Sequence, residues 1–210
     1  MSDLPLSIAF VANPRTQPIL DGTVKAEGID LVCTAGNPGE IFWRQLKFGD
    51  WDASEMSFSS LMIAAARGDD RFVGLPIFTT RRFFHAHIFV RRAAGIERPE
   101  DLKGRRVGVT EYQQTAALWT RGALLHEWGV ADRDMEFFME RTSDKSHGGA
   151  TGFKAPDGVT VHQIPPEKNV GQMMLDGELD AALHYRGWAS SVNRSSTDLR
   201  SHPAIRTLFA

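Results

Sequence analysis

Glu111-Tyr112-Gln113-Gln114-Thr115 is the stretch whose residue types and spacing most invite chemistry. It stands between a short β-branched strand, Val107 to Val109, and a helical pattern that begins near Gln113 and runs to Trp128. Polar side chains between the C-end of a strand and the N-end of a helix are where open α/β sheets bind ligands. The free N–H groups of that helix favour an anion. Two readings stay open: a small acid held at Glu111 to Thr115, or an ordinary strand-helix turn. A second cluster precedes it. His85 and His87 lie two apart on a predicted extended run, Phe83 to Val90, which puts both on one face. An imidazole titrates near neutrality, so His85 is either a proton donor or acceptor, or a hydrogen-bonded hinge histidine. A His-x-His pair can bind a metal, but no carboxylate at ligand spacing joins it, and no metal site is expected. Arg81 and Arg82 precede the run, and a guanidinium there can grip a carboxylate at two points.

Weaker candidates sit at other strand ends. Arg15-Thr16 follows the first strand, at a C-end that again faces a ligand crevice. Ser57 and Ser59 flank the end of the third strand, where helix capping alone explains one of them. Asp52 and Glu55 are odd-spaced on that strand and face opposite ways, so they are not read as an acid/base pair. His147 lies in a glycine-rich stretch, with two readings: a loop that closes over a ligand, or one that is merely mobile. Trp119, Leu124, Leu125 and Trp128 are placed on the inner side of the long helix, and Arg121 is read as structural.

The composition excludes several classes. An apolar share of 42% and a charged share of 24% are those of an ordinary globular chain, and a net charge of −2 offers no basic field for nucleic acid or membrane surface. The single cysteine, Cys33, permits no internal disulfide and reads as a small buried hydrophobe. No apolar run reaches membrane-spanning length, and the N-terminus lacks the pattern of a signal peptide, so a cytoplasmic protein is expected.

The elements that must position these residues follow in order. Strands are expected at Leu6 to Ala12, Gly28 to Thr34, Asp52 to Met56 and Phe72 to Phe78. Helices are expected at Pro18 to Leu20, Glu40 to Phe48 and Ser57 to Ala66. After Phe83 to Val90 and the Pro99 turn, strands are expected at Val107 to Val109, Asp134 to Met139, Val159 to Ile164, Leu179 to Leu183 and Ile205 to Phe209. Arg141 to Gly158 reads as an exposed loop, Asn169 to Leu175 as a helix and Arg186 to Arg200 as a polar segment. Strands alternating with helices over short connections argue for parallel α/β sheets in two lobes. The first is expected to span residues 1–87, with 201–210 returning to it, and the second 88–200.

Pro99-Glu100-Asp101-Leu102-Lys103-Gly104 with Val107-Gly108-Val109, and Met174-Leu175-Asp176-Gly177-Glu178-Leu179-Asp180-Ala181, resemble type II periplasmic-binding-protein folds. Leu20-Asp21-Gly22, Glu27-Gly28-Ile29-Asp30-Leu31, Glu55-Met56-Ser57-Phe58-Ser59-Ser60 and, most specifically, Glu111 to Trp119 with Arg121-Gly122 are similar to the 4,5-dihydroxyphthalate decarboxylases. Three departures stand out. The family pattern Arg, small, Phe, Arg, His is here Arg81-Arg82-Phe83-Phe84-His85. A proline-containing family segment is replaced by His184-Tyr185-Arg186-Gly187-Trp188. The chain stops at Ala210, where the family continues, so the first lobe is expected to be cut short.

The resemblance implies a decarboxylase of a small dihydroxyaromatic dicarboxylic acid, bound in the cleft between the lobes and needing no cofactor. It implies His85 and Glu111 as catalytic residues, since His85 has a family counterpart and His87 has none. It implies Arg15, Thr16, Ser57, Ser59, Arg81, Gln113, Thr115 and His184 as substrate-binding residues. The alternative is a non-catalytic solute-binding protein or a cytoplasmic sensor for a small organic acid. A homo-oligomer is expected, with no nucleic-acid or membrane partner.

Overall fold

The computed structural model describes residues 3–183 and 187–209, and the chain divides into two units, Met1–Arg81 and Arg82–Ala210. The first unit is built on β1 (Leu4–Phe10), α1 (Gln17–Leu20), β2 (Ile29–Ala35), α2 (Pro38–Phe48), β3 (Ala53–Ser54) and α3 (Phe58–Ala66). Its sheet has the order β2-β1-β3, all parallel, with Leu4 opposite Ile29 and Ile8 opposite both Cys33 and Ala53. Helix α2 shows how locally these boundaries are set. Asn37 accepts from the Gly39 amide at 2.9 Å, Pro38 takes the first helical position, and Gly49 closes the helix at a φ of 67° that disfavours a side chain.

The second unit carries β4 (Ile88–Arg91), β5 (Arg106–Val109), α4 (Thr115–Trp128), β6 (Glu136–Met139), α5 (His147–Thr151), β7 (Thr160–Gln163), α6 (Val170–Leu175), β8 (Ala181–Leu183) and β9 (Ile205–Thr207). Its sheet runs β7-β6-β5-β8-β4-β9, parallel from β7 to β8 and antiparallel at β4 and β9. The central strands β4, β5 and β8 are buried along nearly their whole length, as a sheet covered on two sides requires, while the flanking β7 is polar and largely exposed. Val90, Val107, Val109, Phe137 and Leu183 join Leu124 of α4 in one core cluster, while Phe89, Leu179 and Ala182 join Val170 and Met174 of α6 in the other. Gly108 is needed for the second cluster, because a Cβ there would lie 2.8 Å from both Val170 and Leu179. That close approach is made by a side chain of α6 and by one from the residue two before β8.

Five expectations are corrected. Phe72 to Phe78 forms no strand and leaves Val73, Leu75, Ile77 and Phe78 exposed, because no neighbouring strand pairs it. Phe83 to Val90 is not one extended run: Phe84–His87 is a 3-10 turn and only Ile88 onward is strand, so His85 and His87 are not two residues of one strand face. Arg141 to Gly158 is not an exposed loop, since it contains α5 and buries Arg141, Ser146 and His147. The terminal stretch does not return to the first unit; β9 pairs with β4, with Phe89 opposite Thr207. Trp119 and Leu125 point outward from α4, whereas Leu124 is buried. Among the described residues, no helix is long and apolar enough to cross a membrane.

Candidate functional site

In the first unit the loop after β1 and the segment after β3 meet at the C-terminal edge of the sheet. Val11 donates its amide to Glu55 Oε2 at 2.8 Å, and its carbonyl accepts from Thr16 Oγ1 at 2.6 Å. Thr16 Oγ1 in turn accepts from the Asn13 amide at 3.1 Å, which makes a tight turn of the residues after β1. Ser57 occupies the N-cap position of α3 but makes no capping bond with its side chain; its Oγ lies 3.2 Å from Ser59 Oγ, and both serines are buried. Arg15 is exposed and reaches the Thr79 carbonyl at 3.4 Å, two residues before the exposed Arg81. Asp52 lies apart from Glu55, spending its carboxylate on the Ser7 amide and hydroxyl at 2.8 and 2.7 Å.

In the second unit Glu111 follows β5 and is wholly buried. Its Oε1 accepts from the Gly148 amide at 3.2 Å and its Oε2 from the His147 amide at 3.1 Å. Arg141 Nη1 stands 3.6 Å from Oε2, and Arg141 is itself buried. Burial pushes the Glu111 carboxyl above its usual range, while Arg141, the two amides and the Gln113 side chain pull it back. Burial also draws the Arg141 guanidinium below its usual value. Arg141 Nη1 is 3.0 Å from His147 Nε2, and an arginine can only donate, so His147 accepts there and carries its proton on Nδ1. Arg141 Nε donates to Asn193 Oδ1 at 2.8 Å.

The carboxylate beside Arg141, Glu140, stitches a later segment to the end of β6. It accepts from the amides of Val170, Arg194 and Ser195 at 2.9, 2.6 and 3.0 Å, and from the Ser195 hydroxyl. This edge therefore holds two buried carboxylates whose four oxygens all have donors.

No family model matches the chain. Two curated relatives match it over 209 residues, all of its length: the 4,5-dihydroxyphthalate decarboxylase of Comamonas testosteroni at 35% identity, and that of Pseudomonas putida at 33%, of which the chain covers 78%. The chain belongs to the 4,5-dihydroxyphthalate decarboxylase family. It spans 61% of the Comamonas relative's length. Among solved structures it is similar to the alkanesulfonate-binding protein SsuA from Xanthomonas axonopodis pv. citri, at 17% identity and a TM-score of 0.55 over 90% of this chain and 56% of that one. The periplasmic aliphatic sulphonate binding protein SsuA from Escherichia coli gives 17% and 0.52, over 87% and 54%. Those likenesses show the fold, that of the periplasmic binding proteins.

In this member of the decarboxylase family, Arg15 and Thr16 follow β1 and Ser57 and Ser59 follow β3, the parallel neighbours whose C-ends share one sheet edge. Glu111, Gln113 and Thr115 likewise gather at the end of β5 and the start of α4. His85 does not join Glu111. Its Nε2 is 3.3 Å from Glu127 Oε1, and its ring packs edge-on against Trp128 and Phe209, at the last turn of α4. Twelve residues of helix separate Glu127 from Thr115, about 18 Å at 1.5 Å per residue. His184 lies outside the described residues. Sequence reasoning weighed Glu55 and His147 but set them aside, and did not single out Arg141 and Asn193. Arg141 was findable, since Glu140-Arg141 stands at the C-end of a strand just as Glu111 does.

Proposed function

We propose that this protein is a carboxy-lyase acting on a small dihydroxyaromatic dicarboxylic acid such as 4,5-dihydroxyphthalate, bound between its two lobes and needing no cofactor. The observation that carries the reading is the match over the whole of this chain, at 35% and 33% identity, with two decarboxylases of that name, of which it covers 61% and 78%. The buried polar residues at the C-terminal edge of each sheet support a small polar ligand there. The chemistry asks little of the protein. A ring hydroxyl para to a carboxylate lets the ring take a proton on the carboxylate-bearing carbon, after which carbon dioxide leaves and aromaticity returns.

The proposed proton donor is His85, whose Nε2 lies 3.3 Å from Glu127 Oε1. Arg15 and Arg81 are proposed to hold the second carboxylate, and Ser57 and Ser59 to hydrogen-bond the ligand. Glu111 has both oxygens engaged by main-chain donors, so it is read as a positioning residue that fixes the wall carrying Gln113 and Thr115. The test is incubation of the full chain with 4,5-dihydroxyphthalate while carbon dioxide release and binding heat are followed separately. Release at a rate that scales with protein supports the enzyme; binding without release would leave a solute-binding protein or sensor.

A further inference from the structure

Among the described residues, the only buried carboxylate oxygen without a donor is Oε1 of Glu55. Its surroundings make that oxygen a candidate ligand contact. Glu55 directly follows β3, and its other oxygen is fixed by the amide of Val11, the first residue after β1. In the order β2-β1-β3 the connections leaving β1 and entering β3 run to opposite sides, so the crevice between the C-ends of β1 and β3 is the topological switch point of the sheet. Glu55 stands in that crevice, in the same segment as Ser57 and Ser59.

A buried acceptor without a donor is unusual and asks for an explanation. The contrast with the second unit supplies one. Glu111 and Glu140 are buried still more completely than Glu55, and every oxygen of theirs is occupied, so the chain can satisfy such groups where they serve only the scaffold. The open oxygen of Glu55 calls for a donor brought by something else. A carboxylate accepts from a hydroxyl and repels a carboxylate or sulfonate.

We propose that Glu55 Oε1 accepts a hydrogen bond from a ring hydroxyl of the bound acid, so that Glu55 selects ring-hydroxylated acids over their unhydroxylated analogues. For its ligand class the proposal rests on the decarboxylase reading; for its geometry it rests on Glu55 alone. The ring's carboxylates are then directed toward Arg15 and Arg81, away from Glu55.

The experiment compares affinities of the wild-type protein for 4,5-dihydroxyphthalate, phthalate and 4,5-difluorophthalate, the last retaining substituents that cannot donate. Loss of a hydroxyl donated to a charged, buried acceptor is expected to weaken binding roughly 10- to 100-fold. In Glu55→Gln, which keeps an acceptor for the Val11 amide, that preference should shrink to within about threefold while phthalate affinity stays near its wild-type value. If Glu55→Gln does not fold, the wild-type series decides by itself, the fluorinated acid binding like phthalate if the proposal holds. Equal wild-type affinity for the three acids, or a preference that survives in Glu55→Gln, overturns the assignment of Glu55 and leaves the decarboxylase reading intact. Preference without carbon dioxide release overturns the decarboxylase reading and leaves Glu55 intact. Absence of binding by all three overturns both.

Discussion

Arg141 Nη1 lies 3.6 Å from Glu111 Oε2, and neither side chain keeps more than 4% of its exposure. Two buried charges at that distance hold one another in place. Removing one leaves the other desolvated and unpaired, a loss of about 3–5 kcal/mol, whereas removing both is far milder. Arg141→Met is therefore expected to lower unfolding stability by about that much. The double variant Glu111→Gln/Arg141→Met should recover a large part of the loss, and a urea-denaturation double-mutant cycle measures the coupling. Additive losses would mean the pair is not coupled.

The same pair sets a pH dependence. Burial raises the folded-state value of Glu111 above its unfolded value of about 4.3. Between the two values the native protein keeps a proton that the unfolded chain has released. The Glu111 contribution is thus fully present below about pH 4.3 and is lost as pH rises through the folded value. Subtracting the Glu111→Gln curve from wild type should give a difference that declines with rising pH. In Arg141→Met the decline should extend to higher pH, because the largest opposing influence is gone. A difference that grows with pH would contradict the assignment.

The sequence announced most of this fold and only part of the site. Helix α2 was legible because Asn37, Pro38 and Gly49 encode its ends within the segment itself. The run from Phe72 to Phe78 reads as strand from β-branched and aromatic content, but pairing is a tertiary matter and among the described residues no strand pairs with it. Arg141 to Gly158 reads as loop for the opposite reason. Its glycines are there for contact, since a Cβ on Gly149 would fall 1.7 Å from the Ser143 carbonyl oxygen. The separation of His85 from Glu111 was invisible because it depends on which end of α4 the 3-10 turn meets.

That Ser143 contact makes a prediction of its own. Gly149→Ala must move the main chain of the 143–149 turn, which carries the His147 and Gly148 amides that hold Glu111. A loss of at least about 3 kcal/mol is expected, measured by denaturant unfolding. Gly122→Ala is the control: no atom lies within 4 Å of a Cβ there, and alanine favours the helix it sits in. That change should be neutral or slightly stabilising.

Association is a further expectation. Both core clusters among the described residues belong to the second unit, while the first exposes Val73 at 86%, Leu75 at 69% and Ile77 at 70%. Apolar surface of this kind favours self-association. Light scattering at increasing protein concentration should show a dimer or larger species, dissociated by Leu75→Lys or Ile77→Lys. A monomer at every concentration would contradict it.

His85 separates the chemical step from binding. A proton transferred only in the transition state contributes little to ground-state affinity. His85→Gln should thus lower kcat for 4,5-dihydroxyphthalate by about 10² to 10⁴, with affinity for the acid nearly unchanged. Glu127→Gln removes the carboxylate that stands 3.3 Å from the imidazole and orients the ring, and should lower kcat more than affinity. Arg81→Lys should act differently, weakening affinity first, because a lysine cannot reproduce a planar two-point contact with a carboxylate. The decisive comparison is kcat against KM across the three variants. Parallel loss of affinity and turnover in His85→Gln would make His85 a hinge or binding residue, and the donor would have to be sought at the two sheet edges instead.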